Sequence, residues 1–220
     1  MKRILSIAML LMLSVVLCAQ KDVTQFLGIP VDGSKTEMIR KLVVKGFKHD
    51  FKTDLLSGEF NGRKVNLSVV TNNDKVYRIV VHDDVYVGER SIQIRFNELC
   101  RQFENNSKYT PVSDDQTISD DEDISYEISV HKKRYEAVFY QNLINLEDVV
   151  METKQSLLQK YTEEQMANPT EAMLSEASDW IFKNYASKKS VWFMITEYLG
   201  EYAIVMYYDN EYNRASGEDL

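Results

Sequence analysis

The chain has 220 residues, 44% of them hydrophobic, and carries 26 basic against 34 acidic side chains. That apolar content suffices for a real core in one domain of ordinary to large size or two small ones, and it excludes disorder as the overall reading. The net charge of -8 makes nucleic acid and anionic membrane surfaces poor partners, because the summed field repels them.

Residues 1–19 run from Lys2 and Arg3 through an apolar stretch from Ile4 to Leu17 and end at the small Ala19, before Gln20. This is the layout of a cleaved secretory signal, so the folded part is expected to be 20–220, starting at Gln20 and located in the periplasm or secreted. Losing Lys2 and Arg3 leaves 24 basic against 34 acidic groups, a charge of -10. The alternative is a lipid anchor at Cys18, but such signals place a small residue before the cysteine, where this chain has Leu17. No later stretch approaches the ~20 apolar residues of a membrane span. After cleavage only Cys100 remains, which rules out an intramolecular disulfide.

Phe26 to Phe47 combines an apolar lead-in, a Gly/Pro/Asp turn and a helix. Ser34 and Glu37 have the S-x-x-E spacing of a capping box, Met38, Ile39, Leu42 and Val43 share a helical face, and Gly46 sits at the stop. Asp54 to Val81 reads as a three-stranded meander turned at Asn61-Gly62, a pair suited to a two-residue turn with positive φ at both positions, and again at Asn72-Asn73-Asp74. Between Arg90 and Glu104, Ile92, Phe96, Leu99, Cys100 and Phe103 form one helical stripe, which makes Cys100 a packed small hydrophobe.

Further on, Ile124, Tyr126, Ile128 and Val130 alternate with polar residues, predicting a hairpin over 124–141 with the basic Lys132–Arg134 at its tip. Leu146 to Tyr161 looks helical. A second helix is expected after an Asn168 cap with Pro169 in its first turn and Glu171 completing the box, its stripe running Met173, Ala177, Trp180, Ile181 and Asn184 or Tyr185. Ser190 to Tyr208 predicts a hairpin turning near Leu199-Gly200, apolar on both faces and therefore central in a sheet. The fold class is α+β, a mostly antiparallel sheet of hairpins and a meander with amphipathic helices packed against it. Helix-then-hairpin occurs twice, at 34–81 and 170–208, which makes 105–123 the candidate junction between two subdomains.

Four of these stretches, FLGIPVDGS-K-EMIRKL-KGF, TNNDKVYRIVV, IRFNELCRQFENN and DEDISYEISVHKKRYEAVFYQ, resemble a family of exported proteins of Bacteroidetes-type bacteria with no established activity. The resemblance spans most of the chain after the signal. It implies an envelope or secreted location and supplies no catalytic residue.

Chemistry is sparse. His49, His82 and His131 are far apart and form no H-x-x-x-H or Cys/His pattern, and neighbouring His82 and Asp83 in a strand point to opposite faces. The acidic loop after Pro111 offers Asp120, Asp121 and Asp123 as hard-cation ligands, without the D-x-D-x-D-G spacing of a calcium loop, so a solvated loop is the plainer account. There is no G-x-S-x-G, P-loop or G-x-G-x-x-G, and no cofactor is implied. The expected function is therefore a non-catalytic binding module, with a carboxylate-based hydrolase or a structural domain of an exported assembly as alternatives. Six tyrosines lie in the last thirty-six residues, and Tyr198, Tyr202, Tyr208 and Tyr212 with Trp192 are the candidate binding residues for a protein, peptide or glycan. Alternation puts Tyr198 on one face with Trp192 and Met194, and Tyr202 on one with Ile204 and Tyr208.

Overall fold

A computed structural model describes residues 22–215 and 217. The signal segment, Cys18, the Gln20 start and residues 218–220 lie outside the described residues. A short hairpin of β1 (Gln25–Phe26) and β2 (Ile29–Pro30) precedes helix α1 (Lys35–Val44) and the strands β3 (Lys48–Asp50), β4 (Leu55–Phe60), β5 (Arg63–Asn72) and β6 (Lys75–Asp83). Then come α2 (Glu89–Glu104), β7 (Tyr109–Pro111), α3 (Ile124–His131), β8 (Glu136–Gln141), three helices α4 (Leu146–Leu157), α5 (Glu163–Ala167) and α6 (Glu171–Asn184), and the hairpin β9 (Ser190–Tyr198) and β10 (Glu201–Asp209). Strands β3 to β10 make one eight-stranded antiparallel sheet ordered β3-β4-β5-β6-β10-β9-β8-β7. The architecture is α+β, and pairing of β6 with β10 places the strands of both helix-then-hairpin stretches in that one sheet.

Turn chemistry sets the pairing. Asn61-Gly62, Asn73-Asp74 and Leu199-Gly200 each carry positive φ at both positions, the twist that lets two-residue loops join right-twisted strands. The three strands expected over 54–81 are β4, β5 and β6, and β3 before them extends the meander by pairing with β4. Ser34 caps α1, its Oγ accepting from the Glu37 amide at 3.3 Å. The Glu37 carboxylate turns to Lys41 (2.8 Å). Met38 and Leu42 are buried against the sheet, Ile39 packs at the margin, and Val43 at the edge of the stripe is exposed.

The α2 stripe lies on the same sheet face as α1. Ile92, Phe96, Leu99, Cys100 and Phe103 are all buried there, facing Val191, Phe193, Ile204 and Met206. Polar side chains at the edge of α2 tie down the acidic loop: the buried Asn97 donates to the Ile118 carbonyl and accepts from its amide, both at 2.8 Å.

Two expectations are corrected. Ile124 to His131 is the helix α3 and not a strand, so the expected 124–141 hairpin reduces to β8 alone, and the basic Lys132–Arg134 cluster follows a helix end. Asp123 decides this: its Oδ1 accepts from the Tyr126 amide at 2.8 Å, and Lys132 closes the helix in the left-handed region. Strict alternation over eight residues also produces an i,i+4 apolar pair, here Ile124 and Ile128, which pack inward while Tyr126 and Val130 are exposed. The start of α6 is also shifted. Thr170 is the cap, accepting from the Met173 amide at 3.3 Å, because Asn168 already ends α5. Of the α6 stripe only Met173 is fully buried; Ala177, Trp180, Ile181, Asn184 and Tyr185 are half-buried.

Gly58 permits one close approach in the core. A β-carbon there would stand 2.4 Å from Cδ1 of the buried Phe47 ring. Gly58→Ala is expected to lower stability by about 1–3 kcal/mol through overpacking, read as a shift of the urea midpoint at constant slope.

Candidate functional site

The two faces of the sheet differ. Register puts Val191, Phe193, Ile195, Ile204, Met206 and Tyr208 on the face under α1 and α2. On the other face one row crosses five strands, Ser68-Val80-Tyr207-Trp192-Val138, and a second runs Asn66-His82-Val205-Met194-Glu136. Trp192, Met194, Tyr207, Val80 and Val138 are half-buried there, and Tyr198 is 63% exposed. Helix α6 meets this face at β8, where Phe182 lies 5.2 Å from the Tyr140 ring.

The centre of the open face is built on Asp209, which is 2% exposed. Arg78 Nε and Nη2 donate to its two carboxylate oxygens at 2.5 and 2.6 Å, and the Trp192 indole N–H donates to Oδ2 at 2.9 Å. Its carbonyl accepts from the buried Thr24 hydroxyl. Trp192 and Tyr207 stack at 4.0 Å with 17° between planes, and the Arg78 guanidinium lies 4.8 Å from the Tyr207 ring. The Asp209 hydrogen bond raises the Arg78 pKa further, and the cation is fixed in place. A second aromatic pair, Tyr86 and Tyr198, stands 6.2 Å apart, with Tyr86 in turn 3.3 Å from His82 Nε2.

Of the residues singled out from sequence, Trp192 and Tyr198 reach this face. Tyr202 and Tyr208 do not: at 3% and 4% exposure they belong to the opposite, helix-covered face, as the strand period requires. Tyr212 sits half-buried in the turn after β10 and donates to the Asn184 carbonyl at 3.0 Å, tying the chain end to α6. Arg78, Asp209, Tyr207 and Tyr86 were not proposed from sequence. Alternation from Trp192 through the Leu199-Gly200 turn would have indicated Tyr207, but β6 carries no signal that it pairs with β10.

The acidic loop does not converge. Asp123 caps α3, Asp121 accepts from the Ser119 hydroxyl, and Asp120 pairs with Arg90 at 3.2 Å while largely solvated. Among the described residues no three His, Cys, Asp or Glu side chains come together as a metal site would require. Burial pushes the Cys100 thiol up to about 12, so it is protonated at neutral pH. The histidines have separate partners, Asp54 for His49, Tyr86 for His82 and Glu127 for His131. Among the described residues no helix is long and apolar enough to cross a membrane.

Comparison of the chain with protein-family models, with curated proteins and with solved structures finds no match.

Proposed function

We propose that the protein is a non-catalytic binding module that docks a protein partner on the open face of its sheet, in the periplasmic or secreted space to which its N-terminal pattern points. The observation that carries this reading is the half-exposed row Val80-Tyr207-Trp192-Val138 with Met194 and Tyr198 beside it, on a face that is anchored from beneath by Asp209. Aromatic, Met and Arg side chains in a desolvated centre with polar neighbours are the composition of interface hot spots. A protein partner fits better than a glycan. Trp192 and Tyr207 stack on each other, with Val138 and Val80 as their outer neighbours in the row. The row therefore turns edges rather than flat ring faces toward a partner, and a sugar would need a free ring face.

The test compares Tyr198→Ala and Met194→Ala with the unaltered chain in capture from an extract of the source cells, followed by mass spectrometry. Both variants should keep folding stability within roughly 1 kcal/mol while losing the same captured protein. Equal capture by all three, or capture of glycan alone, would refute the reading.

A further inference from the structure

The helix-covered face is not closed everywhere. Beyond the C-terminal end of α2 a cleft of about 810 Å³ opens beside the tip of the β1–β2 hairpin. That volume lies within the range of about 300–1,000 Å³ found for small-ligand sites. Its inner wall is apolar, made by Phe60, Leu99, Phe103, Met206 and the ring of Tyr208. Its rim is made largely of carboxamides, among them Gln25, Asn61, Gln102, Asn106 and Asn142. The charged side chains at the cleft are one of each sign, Glu59 and Lys108, so it has no net field to attract an ion.

Polar groups are fixed along one wall. The Gln141 side chain pairs with the Gln25 backbone as a strand would, accepting from its amide and donating to its carbonyl at 2.7 Å each, and it also donates to the Tyr109 hydroxyl at 3.3 Å. The Tyr208 hydroxyl lies next to that of Tyr109, and burial raises the Tyr208 pKa well above the ordinary phenol value, so Tyr208 stays protonated. A hydrogen bond between the two hydroxyls would use only one of their two hydrogens. The other is left to donate, and both rings line the cleft.

The tip of the β1–β2 hairpin stands at the mouth. Leu27, with φ +53°, and Gly28, with φ +76°, are the two positions of that turn, and Leu27 is 38% exposed beside the cleft. Asn61 and Gln102 reach one another at 2.7 Å on the same rim, joining the β4–β5 turn to α2.

We infer that this cleft is a binding site for an uncharged, largely apolar small molecule that carries an oxygen acceptor. Its apolar body lies on Phe60, Phe103 and Met206, its oxygen accepts from the Tyr109–Tyr208 pair, and Leu27 closes over it. The site is on the opposite face of the sheet from Trp192 and Tyr198, so its failure and that of the protein-docking reading are separable.

The test is a series of three probes, 2-acetonaphthone, 2-ethylnaphthalene and 2-naphthoate, titrated into the full chain and followed by amide chemical shifts. The ketone should move resonances at 27–28, 102–109 and 141–144, and should bind roughly fivefold or more tighter than the hydrocarbon, the worth of one hydrogen bond. The carboxylate should bind more weakly than the ketone. The double variant Tyr109→Phe/Tyr208→Phe should remove the preference for ketone over hydrocarbon, and Gln102→Trp, at an exposed helix position, should block all three probes without lowering Tm. Leu27→Gly should raise Tm, by relieving the left-handed leucine, while weakening the ketone. Shifts confined to other regions, carboxylate binding as tight as ketone, or no binding up to the solubility limit would overturn the inference.

Discussion

Replacing Asp209 by alanine is expected to cost about 3–5 kcal/mol of folding stability, the penalty of removing one partner of a buried ion pair. The Arg78 side chain is 19% exposed and would keep its charge with no carboxylate to receive its two hydrogen bonds. The Trp192 indole N–H would lose its acceptor at the same time. For a chain of this size the loss corresponds to a Tm decrease of roughly 10 °C. Urea denaturation of Asp209→Ala and of the double variant Arg78→Met/Asp209→Ala tests the cause. The double variant should recover a large part of the loss, because it no longer buries an unpaired cation. If the double variant is as unstable as the single one, the ion pair is not the source of the effect. Asp209→Ala should also disturb the open face, since Arg78, Tyr207 and Trp192 are held as one unit by that carboxylate.

Phe193→Ala is expected to be equally severe, about 3–5 kcal/mol, by opening a cavity where α2 meets the centre of the sheet. The Phe193 ring is fully buried, 5.0 Å from Phe96 on the helix, 5.7 Å from Phe103 and 6.2 Å from Phe139 on β8. Helix and strands share this one ring, so relaxation around the gap is limited from both sides. Phe193→Leu keeps most of the volume and should cost less than half as much in the same denaturation experiment. A loss below about 1 kcal/mol for Phe193→Ala would contradict packing of α2 on β9 through this residue.

Local rules determined a large part of the molecule from sequence alone. The Asn61-Gly62 turn, the Ser34 cap and the Ile92 to Phe103 stripe each rest on neighbours a few residues apart, and backbone sterics and helical period act at that range. The antiparallel character of the sheet followed from the same short turns. Local rules failed where two periods coincide. Ile124 to Val130 satisfies strand alternation and a helical i,i+4 pair together, and the Asp123 cap with burial of Ile124 against the core selected the helix.

What only the tertiary structure decided is which strand lies beside which. Alternation separated Tyr198 from Tyr202 correctly but could not say which set faces helices and which faces outward, because both faces of that hairpin are apolar. That choice came from the side on which α1 and α2 pack. The Arg78–Asp209 pair joins residues 131 positions apart, and the fully buried Lys189 finds Asp22 across 167 positions. The cleft likewise combines β1, β4, α2, β7, β8 and β10. Sequence patterns report the period of one element and the geometry of one turn. A site assembled from six elements depends on the order of strands in the sheet, which is set by the burial of the whole core rather than by any local signal.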